Sequence, residues 1–312
     1  MTYDDQMFNR RRFLRQLSGL SVALLVKPGT AMTSEVSKAI TRLIPSTGDH
    51  LPVIGMGSWI TFDVGNNSHE RSVRARVLQA FFDNGGALID SSPMYGSSEE
   101  VIGKSLKAIN NQGKLFAATK VWILGKQSGM QQMGASLKLW DVKRFDLMQI
   151  HNMLDWETHW ETLKTWKAEG RIRYIGITTS HGRRHGDLAK AMMNTPFDFV
   201  QFTYNLENRE AEQRLLPLAQ ERGMAVLINR HFDGGSLFQR VRGKPLPPWA
   251  AEFDCANWAQ YFLKFIVSHP AVTCAIPATS KVEHMLENMG AGFGRLPDVA
   301  MRRRMLDYFE RL

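Results

Sequence analysis

Cysteine is scarce in this chain. Its 312 residues contain only Cys255 and Cys274, which cannot make a disulfide framework, so the fold has to rest on a buried core. Phosphate-loop glycines are missing as well. Gly55-Met56-Gly57 is followed by Ser58-Trp59-Ile60, so a dinucleotide-binding Gly-x-Gly-x-x-Gly turn lacks its third glycine, and no Gly-x-x-x-x-Gly-Lys-Ser/Thr loop occurs. Both absences speak against a doubly wound open sheet. No His-x-His follows the first strand-like run, which speaks against a metal-dependent barrel hydrolase. The formal net charge is +9, yet no basic stripe with interleaved aromatics marks a nucleic-acid footprint. A solvated basic surface accounts for the excess, and an anionic cofactor would be one use for it. Internal repeats and low-complexity segments are absent too. The composition is globular, 44% apolar and 22% charged, and the length suits two ordinary domains or one large barrel.

The first 31 residues read as an address. Asn9-Arg10-Arg11-Arg12-Phe13-Leu14-Arg15 precedes an apolar run at 17–26, ten residues long, where a membrane span needs about 20. Lys27-Pro28-Gly29-Thr30-Ala31 then ends in small residues of the kind a signal peptidase reads. Paired arginines ahead of Phe-Leu resemble the twin-arginine export signal. The expectation is a signal peptide at 1–31 that engages export machinery through residues 10–31, then a mature N-terminal segment at 32–50. The mature protein would be periplasmic or otherwise exported, with no stable membrane span after cleavage. A basic amphipathic helix of the mature protein or an uncleaved anchor are the alternatives, and the location is cytoplasmic if the signal reading fails. Five basic residues against two acidic ones in this segment leave +6 on the remainder.

From residue 51 onward, short apolar runs alternate with amphipathic stretches. Strand-like runs fall at 53–56, 87–89, 115–118, 145–150, 172–177, 197–202, 225–228 and 272–276. Helix-like segments between them include 72–83, 98–109, 156–168, 210–222 and 256–268, and residues 297–312 read as a terminal helix. Ser97-Ser98-Glu99-Glu100 offers an N-cap and first-turn carboxylates, and Gly170 and Gly223 stop helices. Eight strands alternating with helices predict an α/β fold, a (β/α)8 TIM barrel over residues 51–312 with a C-terminal helix. Trp156, Trp160, Leu163 and Trp166 share a helical face and read as packing. A loop at 245–254, with Pro247 and Pro248, would stand at the strand C-terminal end that lines a barrel's site.

Four polar residues stand at or just after the ends of apolar runs. Asp90 and Lys120 end the second and third, His151 ends the fourth, and Tyr95 lies in the loop after Asp90. In a barrel these positions converge on one mouth. An unpaired buried charge is costly, so Lys120 beside Asp90 would satisfy both. A cation near a phenol stabilises phenolate and should lower the tyrosine pKa. The imidazole can hydrogen-bond a carbonyl oxygen or relay a proton. Together they suit protonation of a carbonyl oxygen as hydride reaches its carbon. Taken singly, each has a structural reading: an ion pair, a satisfied strand-end histidine, a loop tyrosine. Their joint placement favours chemistry. His181 and His185 are four apart but flank Gly182-Arg183-Arg184, and no metal site is expected.

At these residues the chain resembles the aldo-keto reductases. Asp90-Ser91-Ser92-Pro93-Met94-Tyr95-Gly96-Ser97-Ser98-Glu99-Glu100-Val101-Ile102-Gly103 is similar to the family's Asp/Tyr signature. Thr119-Lys120-Val121-Trp122 resembles its lysine motif and Gln149-Ile150-His151 its histidine motif. The resemblance covers residues 51–290. It implies an NADP(H)-dependent barrel enzyme interconverting aldehydes or ketones and alcohols, with Asp90, Tyr95, Lys120 and His151 as its catalytic tetrad.

The resemblance also implies cofactor contacts. Ala278, Thr279, Ser280, Lys281, His284, Glu287 and Asn288 match the segment that grips the adenosine 2′-phosphate and adenine. Gln201 and Tyr204 match a nicotinamide amide contact and a stacking tyrosine. Gly57, Ser58 and Trp59 border cofactor and substrate; Trp59, Tyr95, Trp122, His151 and Asn152 match substrate positions. Two stretches depart from the family. Gly176-Ile177-Thr178-Thr179-Ser180 stands where Gly-Val-Ser-Asn-Phe is common, so Thr178 and Thr179 replace the amide-binding pair. Asn229-Arg230-His231-Phe232 stands for Tyr-Ser-Pro-Leu, and Arg230 reads either as a pyrophosphate contact or as a salt-bridged loop residue. The altered pair and the export signal motivate a second reading, a non-catalytic NADP(H)-binding redox sensor or partner subunit on the same barrel. A hydrolase or aldolase would leave the 278–288 segment unexplained.

Overall fold

An antiparallel hairpin, β1 (Thr41–Leu43) and β2 (His50–Pro52), precedes eight parallel strands in the computed structural model. These are β3 (Met56–Gly57), β4 (Leu88–Asp90), β5 (Phe116–Val121), β6 (Phe145–Ile150), β7 (Ile172–Thr178), β8 (Phe199–Thr203), β9 (Ala225–Asn229) and β10 (Cys274–Ala275). Each barrel strand pairs with its successor, and bridges Ile54–Ala275 and Gly57–Ala278 join the first to the last. The sheet therefore closes, and the fold is a (β/α)8 barrel. Residues 38–111 and 113–312 are described; the signal reading at 1–31 lies outside them, as does the first part of the 32–50 segment.

Why these runs form a barrel is visible in their period of two. Leu88, Ala118, Leu147, Tyr174, Phe199, Leu227 and Cys274 point into the barrel and form one buried cluster. Their chain neighbours Ile89, Ala117, Met148, Ile175, Val200, Val226 and Ala275 point outward into a second, larger cluster beneath the helices. Both faces of every strand are covered, which is why the runs read as continuously apolar. The hairpin closes the N-terminal end: Ile44 and Leu51 join the inner cluster, and Thr47 Oγ1 meets the Tyr174 hydroxyl at 2.7 Å. Residues 41–52 thus belong to the barrel body, and the boundary expected at residue 51 falls inside the hairpin's second strand.

Ten helices surround the strands among the described residues: α1 (Ser68–Asp83), α2 (Ser98–Ala108), α3 (Lys126–Trp140), α4 (Trp156–Ala168), α5 (His185–Asn194), α6 (Leu215–Glu221), α7 (Ser236–Arg240), α8 (Trp258–Val267), α9 (Val282–Gly290) and α10 (Val299–Glu310). The helix expected over 210–222 is broken into a 3-10 turn, Glu210–Glu212, and α6. Pro217 explains the break, since it lacks an N–H and crowds the carbonyl four residues back, so it is tolerated only in a first turn. Gly170 (φ 73) and Gly223 (φ 63) follow α4 and α6 in the left-handed region, as helix-stopping glycines do. Along α4, Leu163 and Trp166 are buried, and Trp160 packs on Phe197 at 5.0 Å between ring centres.

One feature of the core carried no sequence signal. Lys264, in the apolar helix α8, is fully buried, and its ammonium donates to the carbonyls of Phe253 (3.0 Å), Phe293 (2.7 Å) and Arg295 (2.9 Å). It staples the end of the 3-10 turn Pro248–Phe253 to the segment between α9 and α10, satisfying three carbonyl oxygens at once.

Candidate active site

Strands β4, β5 and β6 deliver the predicted tetrad to one end of the barrel. Asp90 and Lys120 keep the inward phase of Leu88 and Ala118. Both are buried, and the Lys120 ammonium donates to Asp90 Oδ2 and to the Ser91 carbonyl at 2.8 Å. Asp90 Oδ1 accepts from Gln149 Nε2 at 2.7 Å and from Gln201 Nε2 at 3.3 Å. The two glutamines are joined at 3.1 Å, and Asn229 Nδ2 approaches Gln201 Oε1 at 3.4 Å. Side chains of β4, β5, β6, β8 and β9 thus form one connected polar layer beneath the mouth. Gln149 was legible from the strand period, being two residues before His151 and so on the same face.

Above this layer, Lys120 Nζ lies 5.1 Å from the Tyr95 ring centre, and the Tyr95 and His151 rings meet edge to face at 5.7 Å. Loop geometry holds Tyr95 there. Asp63, in the loop after β3, accepts from Ser97 N (2.9 Å) and Ser97 Oγ (2.8 Å). Gly96 has φ 58, and a Cβ there would collide with the Asp63 carboxylate, so the Tyr95-Gly96 turn requires glycine. The Ser97 hydroxyl is committed to this clamp, so the expected side-chain cap on α2 does not form. Glu99 turns inward instead, accepting from Ser136 Oγ at 2.8 Å, Trp140 Nε1 at 3.1 Å and Thr119 Oγ1 at 2.5 Å.

The electrostatics correct one expectation. Burial pushes the Tyr95 phenol above its ordinary pKa; the Lys120 charge pulls it down without overcoming burial, and Asp90 adds to the rise. Tyr95 is therefore a protonated phenol at neutral pH, with a cation beside it to stabilise the phenolate once the proton leaves. Burial pulls Lys120 down, but Asp90 and Tyr95 together leave it above the usual lysine value. Burial and then the Lys120 charge hold His151 down to about 2, so its imidazole is neutral. Its Nδ1 is 2.9 Å from Ser92 Oγ, which accepts from Met94 N at 3.3 Å. With the Ser92 O–H donating to Nδ1, the ring proton sits on Nε2, the tautomer that can donate to a ligand.

Asp90, Tyr95 and His151 line a cavity of about 700 Å³, a size typical of ligand pockets, and Lys120 is buried behind them. Of the expected cofactor and substrate residues, Gly57, Ser58, Trp59, Asp90, Tyr95, His151, Asn152, Thr178, Thr179, Gln201, Arg230 and Ala278 line it. Trp122 is not in the cavity wall, though its ring lies 6.3 Å from the His151 ring. Thr178 Oγ1 accepts from Asn152 N at 2.9 Å, and Thr179 Oγ1 is buried without a protein partner. Such an orphan hydroxyl in a cavity wall is what a polar ligand group would satisfy.

Other predicted residues fall elsewhere. Tyr204 is fully buried; its hydroxyl pairs with Glu212 and accepts from Arg302 Nη2 at 2.6 Å, and its ring lies 6.0 Å from Phe265. It cannot stack on anything in the cavity. Strand phase makes the difference: β8 ends at Thr203, and the residue after it turns outward. Aromatic walls come instead from Phe232 and Phe238 in the segment after β9. That segment also replaces the 245–254 loop, which does not reach the cavity. Thr279, Ser280, Lys281, His284, Glu287 and Asn288 continue from Ala278 outside the cavity wall into α9, whose N-cap is Lys281. Arg230 pairs with Asp233 at 2.9 Å, so the salt-bridged reading holds even as it lines the cavity. His181, Arg183 and Arg184 line it as well. Among the described residues no group of three or more His, Cys, Asp or Glu could hold a metal, and no helix is long and apolar enough to cross a membrane.

Comparison with known proteins gives a consistent picture. A profile of the Aldo/keto reductase family matches residues 53–303. Methylglyoxal reductase YeaE of Escherichia coli (strain K12) is 27% identical over 255 residues, 79% of this chain and 88% of that protein. Aldo-keto reductase YhdN of Bacillus subtilis (strain 168) is 28% identical over 200 residues, 59% of this chain and 60% of its own. The crystal structure of an aldo/keto reductase from Klebsiella pneumoniae in complex with NADP and acetate has the same fold, with a TM-score of 0.71 at 22% identity, covering 88% of this chain and 96% of that one.

Proposed function

This chain belongs to the aldo/keto reductase family, and we propose that it reduces an aldehyde or ketone to an alcohol with NADPH, and catalyses the reverse, with Tyr95 as general acid and base. The observation that carries this reading is that Asp90, Tyr95 and His151 line one cavity while Lys120 bonds Asp90 and lies over the Tyr95 ring.

Bound NADPH would supply hydride to the carbonyl carbon. The protein supplies the rest. Nε2–H of neutral His151 donates to the carbonyl oxygen and fixes its direction toward Tyr95. Tyr95 gives its proton to that oxygen as the C=O π bond opens, so a C–H and an O–H bond replace it. Lys120 stabilises the phenolate, Asp90 holds Lys120 in place, and solvent returns the proton to Tyr95 afterwards. Alcohol oxidation needs the phenolate as base, and burial disfavours it, so reduction should dominate at neutral pH and oxidation should rise with pH.

The residues present fit the cofactor. Thr178 and the orphan hydroxyl of Thr179 would hold the nicotinamide amide in place of the family's usual pair. Gln201 is tied into the Asp90 layer and would support rather than lead that contact. Gly57, Ser58 and Trp59 would border the cofactor. Ser280 and Lys281, at the start of α9, would meet the 2′-phosphate, with Thr279, His284, Glu287 and Asn288 toward the adenosine. Titration of tryptophan fluorescence with NADPH and NADH, followed by turnover on aromatic and short-chain aldehydes, tests the proposal. Tighter NADPH binding with turnover is expected. Tight binding without turnover on any carbonyl would instead favour the sensor or partner-subunit reading.

Residues 1–31 support export through the twin-arginine route, with cofactor bound before the folded protein crosses the membrane. Cell fractionation of wild type and an Arg10→Lys/Arg11→Lys variant checks this; equal distribution of the two, or cofactor-free protein outside the cytoplasm, would contradict it.

A further inference from the structure

The mouth of the cavity is lopsided in charge. Its ionisable wall comprises Asp90, Tyr95, His151, His181, His231, Arg183, Arg184 and Arg230. Asp90 is compensated by Lys120 from below. All three histidines are held below their ordinary pKa, chiefly by burial. Three guanidiniums remain, with no uncompensated carboxylate in the wall.

They are not equally committed. Arg230 is bound to Asp233 at 2.9 Å and to His181 Nε2 at 2.7 Å. Arg184 Nε meets Asp187 at 3.2 Å, and its Nη1 donates to the Asn152 carbonyl at 3.2 Å. The Arg183 side chain is exposed at the wall and makes neither a hydrogen bond nor an ion pair with the described residues. The loop that presents both arginines is firmly set. His181 (φ 62), Gly182 (φ 64) and Arg184 (φ 58) are all left-handed, and His181 N donates to Thr203 Oγ1 at 3.0 Å. Left-handed non-glycine residues persist only where surrounding contacts over-determine them, and they concentrate at ligand clamps.

Position separates this pair from the cofactor phosphates of the proposed reaction. The loop follows β7, four strands from β3 in an eight-strand barrel and three from β10, whose following segment leads to Ser280 and Lys281. Arg184 instead touches the carbonyl of Asn152, the residue next to His151. We propose that Arg183 and Arg184 form an anion subsite for the substrate, so the preferred substrate is a carbonyl compound bearing an oxyanion, a carboxylate or a phosphate, away from the reacting carbon. A guanidinium pair matches either group through charge-assisted, forked hydrogen bonds. The inference rests on the reductase reading and adds the substrate class.

The experiment compares kcat/KM for two matched pairs with NADPH: 4-carboxybenzaldehyde against methyl 4-formylbenzoate, and glyceraldehyde 3-phosphate against glyceraldehyde. The ester makes its aldehyde more electrophilic than the carboxylate does, so a preference for the acid must come from binding. Wild type should prefer one anionic partner by about tenfold or more, and the pair that responds identifies the anion. Arg183→Glu should invert that ratio below 1, Arg183→Ala/Arg184→Ala should bring it near 1, and NADPH affinity should not change in either. Retained NADPH binding also shows that the variants fold. Ratios near 1 for both pairs in wild type overturn the subsite while leaving the reductase reading intact. Weakened NADPH binding with an unchanged ratio overturns it in favour of a cofactor contact. Failure of wild type to reduce any carbonyl overturns the reductase reading, and the subsite with it.

Discussion

Lys120 is the group whose removal says most about how Tyr95 works. Replacing it alone would strand the buried Asp90 carboxylate, so the informative variant is Lys120→Met/Asp90→Asn, which removes both charges and keeps two side chains of similar size. The Lys120 ammonium is 5.1 Å from the centre of the Tyr95 ring. With an effective dielectric of about 20, unit charges at that separation attract by about 3 kcal/mol. The proton has only partly left the phenol in the transition state, and the variant also removes the Asp90 charge that opposes the phenolate, so the barrier should rise by about 1 kcal/mol, roughly fivefold in kcat. The fully formed phenolate loses the Lys120 attraction but is also freed of the Asp90 repulsion, so the alkaline rise in alcohol oxidation should move up by about one pH unit. Steady-state NADPH oxidation with an aldehyde, and a pH series for the reverse reaction, read both effects. Binding of NADPH measured by fluorescence should change little, which separates chemistry from a damaged site. A double variant that keeps the wild-type kcat, with an unmoved alkaline limb, would refute the role assigned to Lys120.

Three further outcomes follow from buried polar groups. His151 is held neutral in the folded state, at about 2 against an ordinary 6.5, so its contribution to stability is present above pH 6.5 and is lost as pH falls toward the folded value. Urea denaturation of wild type at pH 7 and pH 5 should therefore show about 2 kcal/mol more acid loss than His151→Asn, which cannot titrate; equal losses would contradict it. Lys264→Met leaves three carbonyls without their donor and should cost about 3 kcal/mol in the same measurement, with no selective effect on NADPH affinity. Thr179→Val deletes an orphan hydroxyl, so it should leave stability unchanged or slightly raised while weakening NADPH binding by about five- to tenfold; unchanged binding would remove Thr179 from the amide site.

Much of the barrel was legible because its strands are buried on both faces. A run such as Phe145–Ile150 reads as strand without context, and Asp90, Lys120 and His151 break the apolar pattern where the mouth begins. Residues set by tertiary contacts were not. Tyr204 follows a strand just as His151 does, but one turns outward and the other inward, and that depends on the register at which each strand ends. The sign of the Tyr95 shift was missed because burial is not visible in a spacing, whereas a nearby lysine is. Ser97 looked like a helix cap, yet Asp63, 34 residues earlier, claims its hydroxyl. Arg183 and Arg184 carried no signal beyond their charge, since only the left-handed loop brings them to the cavity.

The proton donor is the centre of this account, and Tyr95→Phe tests it most directly. The substitution deletes one oxygen and leaves the ring against His151 and over Lys120. In a single-turnover experiment with preloaded NADPH and an aldehyde that wild type reduces, the account predicts normal NADPH binding and a hydride-transfer rate lowered by about 10²- to 10⁴-fold. A Tyr95→Phe protein that turns over at the wild-type rate would show that the proton comes from somewhere else, and the assignment of Asp90, Lys120 and His151 around it would fall as well.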